Sequence, residues 1–127
     1  MSNKETRFSW KARVKSFQFA GKGIWRFFRT EHNAWIHLGA TVIVIACSVF
    51  LKITLNEAIV VTFCIAFVWV TEMINTAIEK AMDYITSERK DQIRDIKDMA
   101  AGAVLIAAIT SIIAGSIIFI PRFISLL

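Results

Sequence analysis

The segment MAAGAVLIAAITSIIAGSIIFI, Met99 to Ile120, decides the fold. It lies within 23 residues between Asp98 and Arg122 that contain no Asp, Glu, Lys or Arg. A bilayer hydrocarbon core of about 30 Å is crossed by roughly 20 apolar residues in a helix, so this stretch spans a membrane. Working outward, the 20 residues between Glu31 and Lys52 are also free of charge, as are the 14 between Glu57 and Glu72. The pattern predicts membrane helices over 33–51, 58–85 and 99–120. A polar turn at 52–57 joins the first two, a hydrophilic loop over 86–98 joins the last two, and Pro121 marks the exit of the third. The whole chain has 127 residues, 56% hydrophobic and 20% charged, with a single proline. That composition excludes a disordered or collagen-like chain and leaves little room for a soluble domain.

Cys47 and Cys64 each sit among Ile, Val, Ala and Phe with no metal-ligand spacing around them, and read as inert apolar thiols. The first apolar stretch follows about 30 mostly polar residues and is too long for a signal-peptide core, so it is expected to remain in the mature protein.

Fifteen Lys and Arg against ten Asp and Glu give a net charge of +5. Eight of the cations fall in residues 1–31: Lys4, Arg7, Lys11, Arg13, Lys15, Lys22, Arg26 and Arg29. Trp10, Val14, Phe17, Ile24 and Phe28 share one helical face of the same arm, which predicts a basic amphipathic surface helix, bent or interrupted at Gly21-Lys22-Gly23. A nucleic-acid partner is not expected, because spans follow at once and no binding motif is present. Lys80, Arg89, Lys90, Arg94 and Lys97 enrich the region around the second loop, whereas the 52–57 turn has only Lys52. By the positive-inside rule the N-terminus and the 86–98 loop face the cytoplasm.

The second span changes character in Thr71-Glu72-Met73-Ile74-Asn75-Thr76-Ala77-Ile78-Glu79-Lys80-Ala81-Met82-Asp83. At about 100° per residue, Glu72, Asn75, Glu79 and Asp83 fall within roughly 80° of one helix face. Glu72 lies about 10 Å deeper than Glu79, and Asp83 sits at the cytoplasmic edge. An ionisable group at membrane depth costs about 2.5–3.5 kcal/mol even on the lenient scale, so the stripe must face protein, water or a cation. One solution is pairing with cations of neighbouring helices, but apart from Lys80 the spans hold none. The other is a divalent cation, since close carboxylates repel and an oxygen-rich set suits Mg²⁺. With the deepest acid in an apolar setting that suits general-base work, the residues describe a metal-plus-base site at the cytoplasmic membrane interface. No phosphate-binding Gly-x-x-x-x-Gly-Lys-Ser/Thr loop is present.

Residues 72–83 closely resemble the signature of the small prokaryotic diacylglycerol kinase family, which includes undecaprenol kinases. The resemblance extends through Ser87-Glu88 and Lys97-Asp98-Met99-Ala100-Ala101-Gly102-Ala103, and back to Gly23 and Glu31-His32-Asn33. It implies an all-α membrane fold, an N-terminal surface helix plus three spans, assembled as a homotrimer with sites between protomers. It also implies transfer of the ATP γ-phosphoryl group to a lipid hydroxyl in the bacterial cytoplasmic membrane. By this resemblance Glu72 is the catalytic base, and Glu31 and Glu79 hold Mg²⁺ on ATP. Asn75, Asp83, Glu88, Lys97 and Asp98 surround the nucleotide, Arg89 and Lys90 belong to a loop over it, and Arg13 and Phe19 of the arm touch ATP or anchor the arm. At His37, six residues after Glu31, the diacylglycerol-specific members resemble one another in carrying an acid. The run Glu31 to His37, with the short tail Phe119-Ile120-Pro121, therefore leans towards the undecaprenol branch. Two other classes compete: a non-catalytic three-span assembly subunit whose acidic stripe binds partner helices, and, more weakly, a proton- or cation-conducting oligomer.

Overall fold

The computed structural model describes residues 7–127, so Lys4 of the basic arm lies outside the described residues. The chain is all-helical: α1 Trp10–Thr30, α2 His32–Phe50, α3 Leu55–Ile85 and α4 Asp91–Ser125. Two compact units divide after Leu38.

In the first unit, Ser9 caps α1 by accepting the Ala12 N–H on its side chain, which satisfies one of the donors a helix start leaves unpaired. The expected break at Gly21-Lys22-Gly23 does not occur. Both glycines lie inside a continuous helix, and neither has a positive φ. Each glycine costs about 1 kcal/mol against alanine, too little to break a 21-residue helix whose other positions favour it. Glu31, extended at φ −110° and ψ 118°, separates α1 from α2, and its N–H donates to the Phe27 carbonyl at 3.0 Å. The Trp35 indole N–H donates to the Phe28 carbonyl at 3.0 Å, tying the start of α2 to the end of α1.

In the second unit, α2 ends where Lys52 takes a left-handed φ of 50°. Leu51 and Ile53 N–H groups close back on the Cys47 and Ser48 carbonyls at 2.9 and 3.3 Å, which gives the last orphan acceptors partners. α3 then starts at Leu55, three residues before the expected start at 58. The cause is a reciprocal cap: the Thr54 hydroxyl accepts the Glu57 N–H at 3.3 Å, and the Glu57 carboxylate accepts the Thr54 N–H at 2.7 Å. At 31 residues α3 is about 46 Å long, more than a hydrocarbon core, so one end projects beyond it.

Two further expectations are corrected in α4. The hydrophilic link is 86–90 only, because Asp91 to Asp98 are helical. Asp91 lies in the first turn, where a negative charge complements the helix dipole, and Arg94 pairs with Asp91 at 3.4 Å and with Asp95 at 3.5 Å. Pro121 does not end the helix, which runs on to Ser125. A proline forfeits one intrahelical hydrogen bond, a loss that membrane helices tolerate, and the following Arg122 is anchored to Glu57 of α3.

α3 and α4 pack antiparallel as a hairpin. Asp83 meets Lys97 near its closed end, the Ser111 hydroxyl donates to the Cys64 carbonyl at 3.3 Å midway, and Glu57 meets Arg122 at its open end. Val61, Ala100, Ala107 and Ile118 are buried. The Trp69 indole N–H donates to the Thr41 hydroxyl at 3.0 Å, linking α3 to α2 inside the apolar region. Three helices, α2, α3 and α4, are long and apolar enough to cross a membrane. Most of their large apolar side chains are exposed, as suits helices facing lipid or other protein chains.

Candidate active site

The α3 stripe grades from buried to exposed. Glu72 is 8% exposed and is the buried charged residue among those described. One turn on, Asn75 is half-buried, and its side-chain carbonyl oxygen is fully enclosed without a hydrogen-bond partner. Glu79 is half-buried and Asp83 is exposed. A helix of 3.6 residues per turn with acids at these spacings produces this ladder, and its depth gradient follows from the direction in which α3 leaves the apolar region.

α4 supplies the facing wall. Lys97 reaches Asp83 at 2.5 Å, with side-chain exposures of 34% and 67%. Interpolating the register between this pair and the Ser111–Cys64 contact sets Glu79 level with Ala100 and Glu72 level with Leu105. Ala100 is buried. This small side chain opposite Glu79 lets the helix backbones approach without filling the space in front of that carboxylate. An enclosed amide oxygen beside the glutamates is an unusual cost, about 1–3 kcal/mol when no donor is present. Such an atom is a natural acceptor for a bound polar group.

The remaining expected residues lie at the edges. Glu88 pairs loosely with Lys90 at 3.7 Å in the exposed link, Arg89 is exposed beside them, and Asp98 is exposed on α4 next to Lys97. Glu31 stands in the N-terminal unit at the α1–α2 junction, half-buried, where the Thr30 hydroxyl donates to its Oε1 at 3.1 Å. On α1, the Arg13 guanidinium lies 5.4 Å from the Phe8 ring, and Phe19 is approached by the Lys22 ammonium at 5.9 Å. Among the described residues no group of three or more His, Cys, Asp or Glu converges as a metal cage. The donor set nonetheless fits Mg²⁺, which usually takes one or two carboxylates and fills its octahedron with water and substrate phosphate.

Sequence reasoning missed the Glu57–Arg122 pair at the far end of the hairpin. The signal was present: an antiparallel hairpin closing over 86–90 brings residues near 57 level with residues near 122, and these two carry opposite charge.

The family model for prokaryotic diacylglycerol kinase matches residues 18–119. The undecaprenol kinase of Bacillus subtilis (strain 168) is 36% identical over 122 residues, which cover 96% of this chain and 99% of that protein. The diacylglycerol kinase of Synechocystis sp. is 34% identical over 113 residues, 88% of this chain and 65% of that protein. Membrane-length helices with carboxylates ranked along one of them, together with these matches, define a membrane-embedded lipid kinase. The chain belongs to the prokaryotic diacylglycerol kinase family.

Proposed function

We propose that the protein transfers the γ-phosphoryl group of ATP to the hydroxyl of a membrane lipid alcohol, undecaprenol in preference to diacylglycerol, at the cytoplasmic face of a bacterial membrane. The observation that carries this reading is Glu72, a buried carboxylate at the deep end of a polar ladder, where a lipid hydroxyl and a water-borne nucleotide can meet. Glu72 takes the hydroxyl proton as the lipid oxygen bonds to the γ-phosphorus and the bond to the β-phosphate oxygen breaks, releasing ADP and the lipid phosphate. Glu79, about 10 Å nearer the water, and Glu31 would hold Mg²⁺, which when bound supplies charge neutralisation on the phosphates. The Asn75 side chain offers its enclosed oxygen to the reacting groups. Lys97, which pairs with Asp83, would meet phosphate charge, and Glu88 and Asp98 would flank the nucleotide. By the family resemblance Arg13 and Phe19 would touch ATP or anchor the arm.

The preference for undecaprenol is supported by His37 and by the Bacillus subtilis relative of that name, which matches over almost its full length. A homotrimer accounts for the openness of the single chain. A Cβ added at Gly102 would meet nothing within 4 Å, which leaves that stretch of α4 free to receive a neighbouring helix. The cation count around α1 and the 86–90 link supports their cytoplasmic placement.

The test is γ-labelled ATP with purified protein, Mg²⁺ and either undecaprenol or diacylglycerol in mixed micelles. Label in extractable lipid, more with undecaprenol, is the expected result. No transfer to either lipid would leave the assembly-subunit reading in its place.

A further inference from the structure

α1 carries a pattern that phosphoryl transfer leaves unused. Lys11, Lys15, Lys22, Arg26 and Arg29 fall within about 60° of its circumference. No Asp or Glu occurs anywhere in α1. Trp10, Val14, Phe17, Ile24 and Phe28 fill a sector of about 80° centred roughly 130° from that stripe. Between the two sectors runs an open groove of 530 Å³ lined by Gln18, Gly21, Lys22, Trp25, Arg26 and Arg29. Gly21 leaves the groove floor bare, since a Cβ there would touch nothing within 4 Å. Trp25 forms the border on the apolar side and is 66% exposed.

A helix with one apolar sector lies in a membrane interface with that sector down, which sets its flanking cations at the level of lipid phosphates. Indole rings favour the same boundary, where an apolar ring and an N–H donor are both accommodated. We propose that this groove seats the phosphate headgroup of an anionic glycerophospholipid, with Lys22, Arg26 and Arg29 around the phosphate oxygens and Trp25 against the glycerol and upper acyl chain. The proposal rests on the reading that α1 lies on the cytoplasmic membrane surface. A nucleotide is the poorer occupant, because the groove borders the lipid-facing sector and its lining includes neither Arg13 nor Phe19, the α1 residues assigned above to ATP.

The test uses the full-length protein in phosphatidylcholine nanodiscs doped with phosphatidylglycerol, either lipid being brominated high in its acyl chains to quench nearby indoles. Subtracting the Trp25→Phe variant isolates the Trp25 signal. Half-quenching by brominated phosphatidylglycerol is expected at about one fifth of the mole fraction needed with brominated phosphatidylcholine, the effect of one surface cation near an anionic headgroup. The Lys22→Gln/Arg26→Gln/Arg29→Gln triple variant, with helix content verified by circular dichroism, should bring the two midpoints together. Equal midpoints in the parent protein overturn the proposal without reference to any variant. A preference that persists in the triple variant, or one abolished by saturating ATP, overturns it as well. Phosphoryl transfer measured in the same nanodiscs keeps the two ideas apart: an active parent with equal midpoints removes only the lipid groove, whereas an inactive parent removes the kinase reading.

Discussion

Replacing Glu72 by Gln separates chemistry from folding, because the amide keeps the shape of the carboxylate but cannot take a proton. The side chain is 8% exposed and lies on the apolar part of α3. An ionisable group at membrane depth carries a cost of about 2.5–3.5 kcal/mol that a neutral amide avoids. The amide also keeps one acceptor oxygen and adds donors, so it retains hydrogen-bonding capacity in the carboxylate's place. The folded variant should therefore unfold at a temperature close to the parent's. Turnover should fall, since an amide cannot take the hydroxyl proton. General-base catalysis supplies about 10²- to 10⁴-fold, equivalent to roughly 2.7–5.4 kcal/mol in the barrier. The assay is initial rate of label transfer at saturating ATP and lipid, beside thermal unfolding of the same preparation in the same detergent. A fall in kcat of at least about 100-fold with an undiminished unfolding temperature is the expected outcome. Turnover within a few-fold of the parent in an intact oligomer refutes the assignment of Glu72 as base. Loss of activity together with loss of folding would show instead that the carboxylate is a structural partner.

Glu79→Gln and Glu31→Gln each remove an anionic oxygen, so the Mg²⁺ concentration for half-maximal activity should rise in both, with partial recovery at high Mg²⁺; superimposable titrations would exclude them as ligands. Glu57→Gln and Arg122→Gln should each loosen the open end of the α3–α4 hairpin, read as faster amide exchange around Thr54 to Ala58 and a lower unfolding temperature, while the double variant should lose less than the two singles together. Equal additivity would mean that the pair contributes no coupling. Gly21→Ala should raise the helicity and stability of α1 by about 0.5–1 kcal/mol, since a Cβ meets nothing there, and a loss of stability would show that another chain or lipid closes on that position.

The sequence by itself determined the three spans, because uninterrupted apolar runs of bilayer length admit few other solutions in a chain this short. It also determined that Glu72, Asn75, Glu79 and Asp83 share a face, because helical periodicity is local. Element ends were less legible. Whether α3 starts at 55 or 58 depends on a capping box whose two hydrogen bonds form only once Thr54 is extended and Glu57 folds back. The residues Asp91 to Asp98 read as a loop because hydrophilicity does not distinguish a solvated helix from a solvated coil, and their i,i+3 pairing with the packing of α4 on α3 resolves it. Pro121 was read as a stop from its local cost, yet the anchoring of Arg122 by Glu57, 65 residues earlier in the chain, belongs to the hairpin and not to the neighbourhood of the proline. The tertiary structure alone decided which polar groups are enclosed. Glu72 and the Asn75 oxygen are enclosed while Asp83 on the same face is exposed, a difference that helical periodicity does not dictate, and the α3–α4 register is fixed by contacts at both ends of the hairpin.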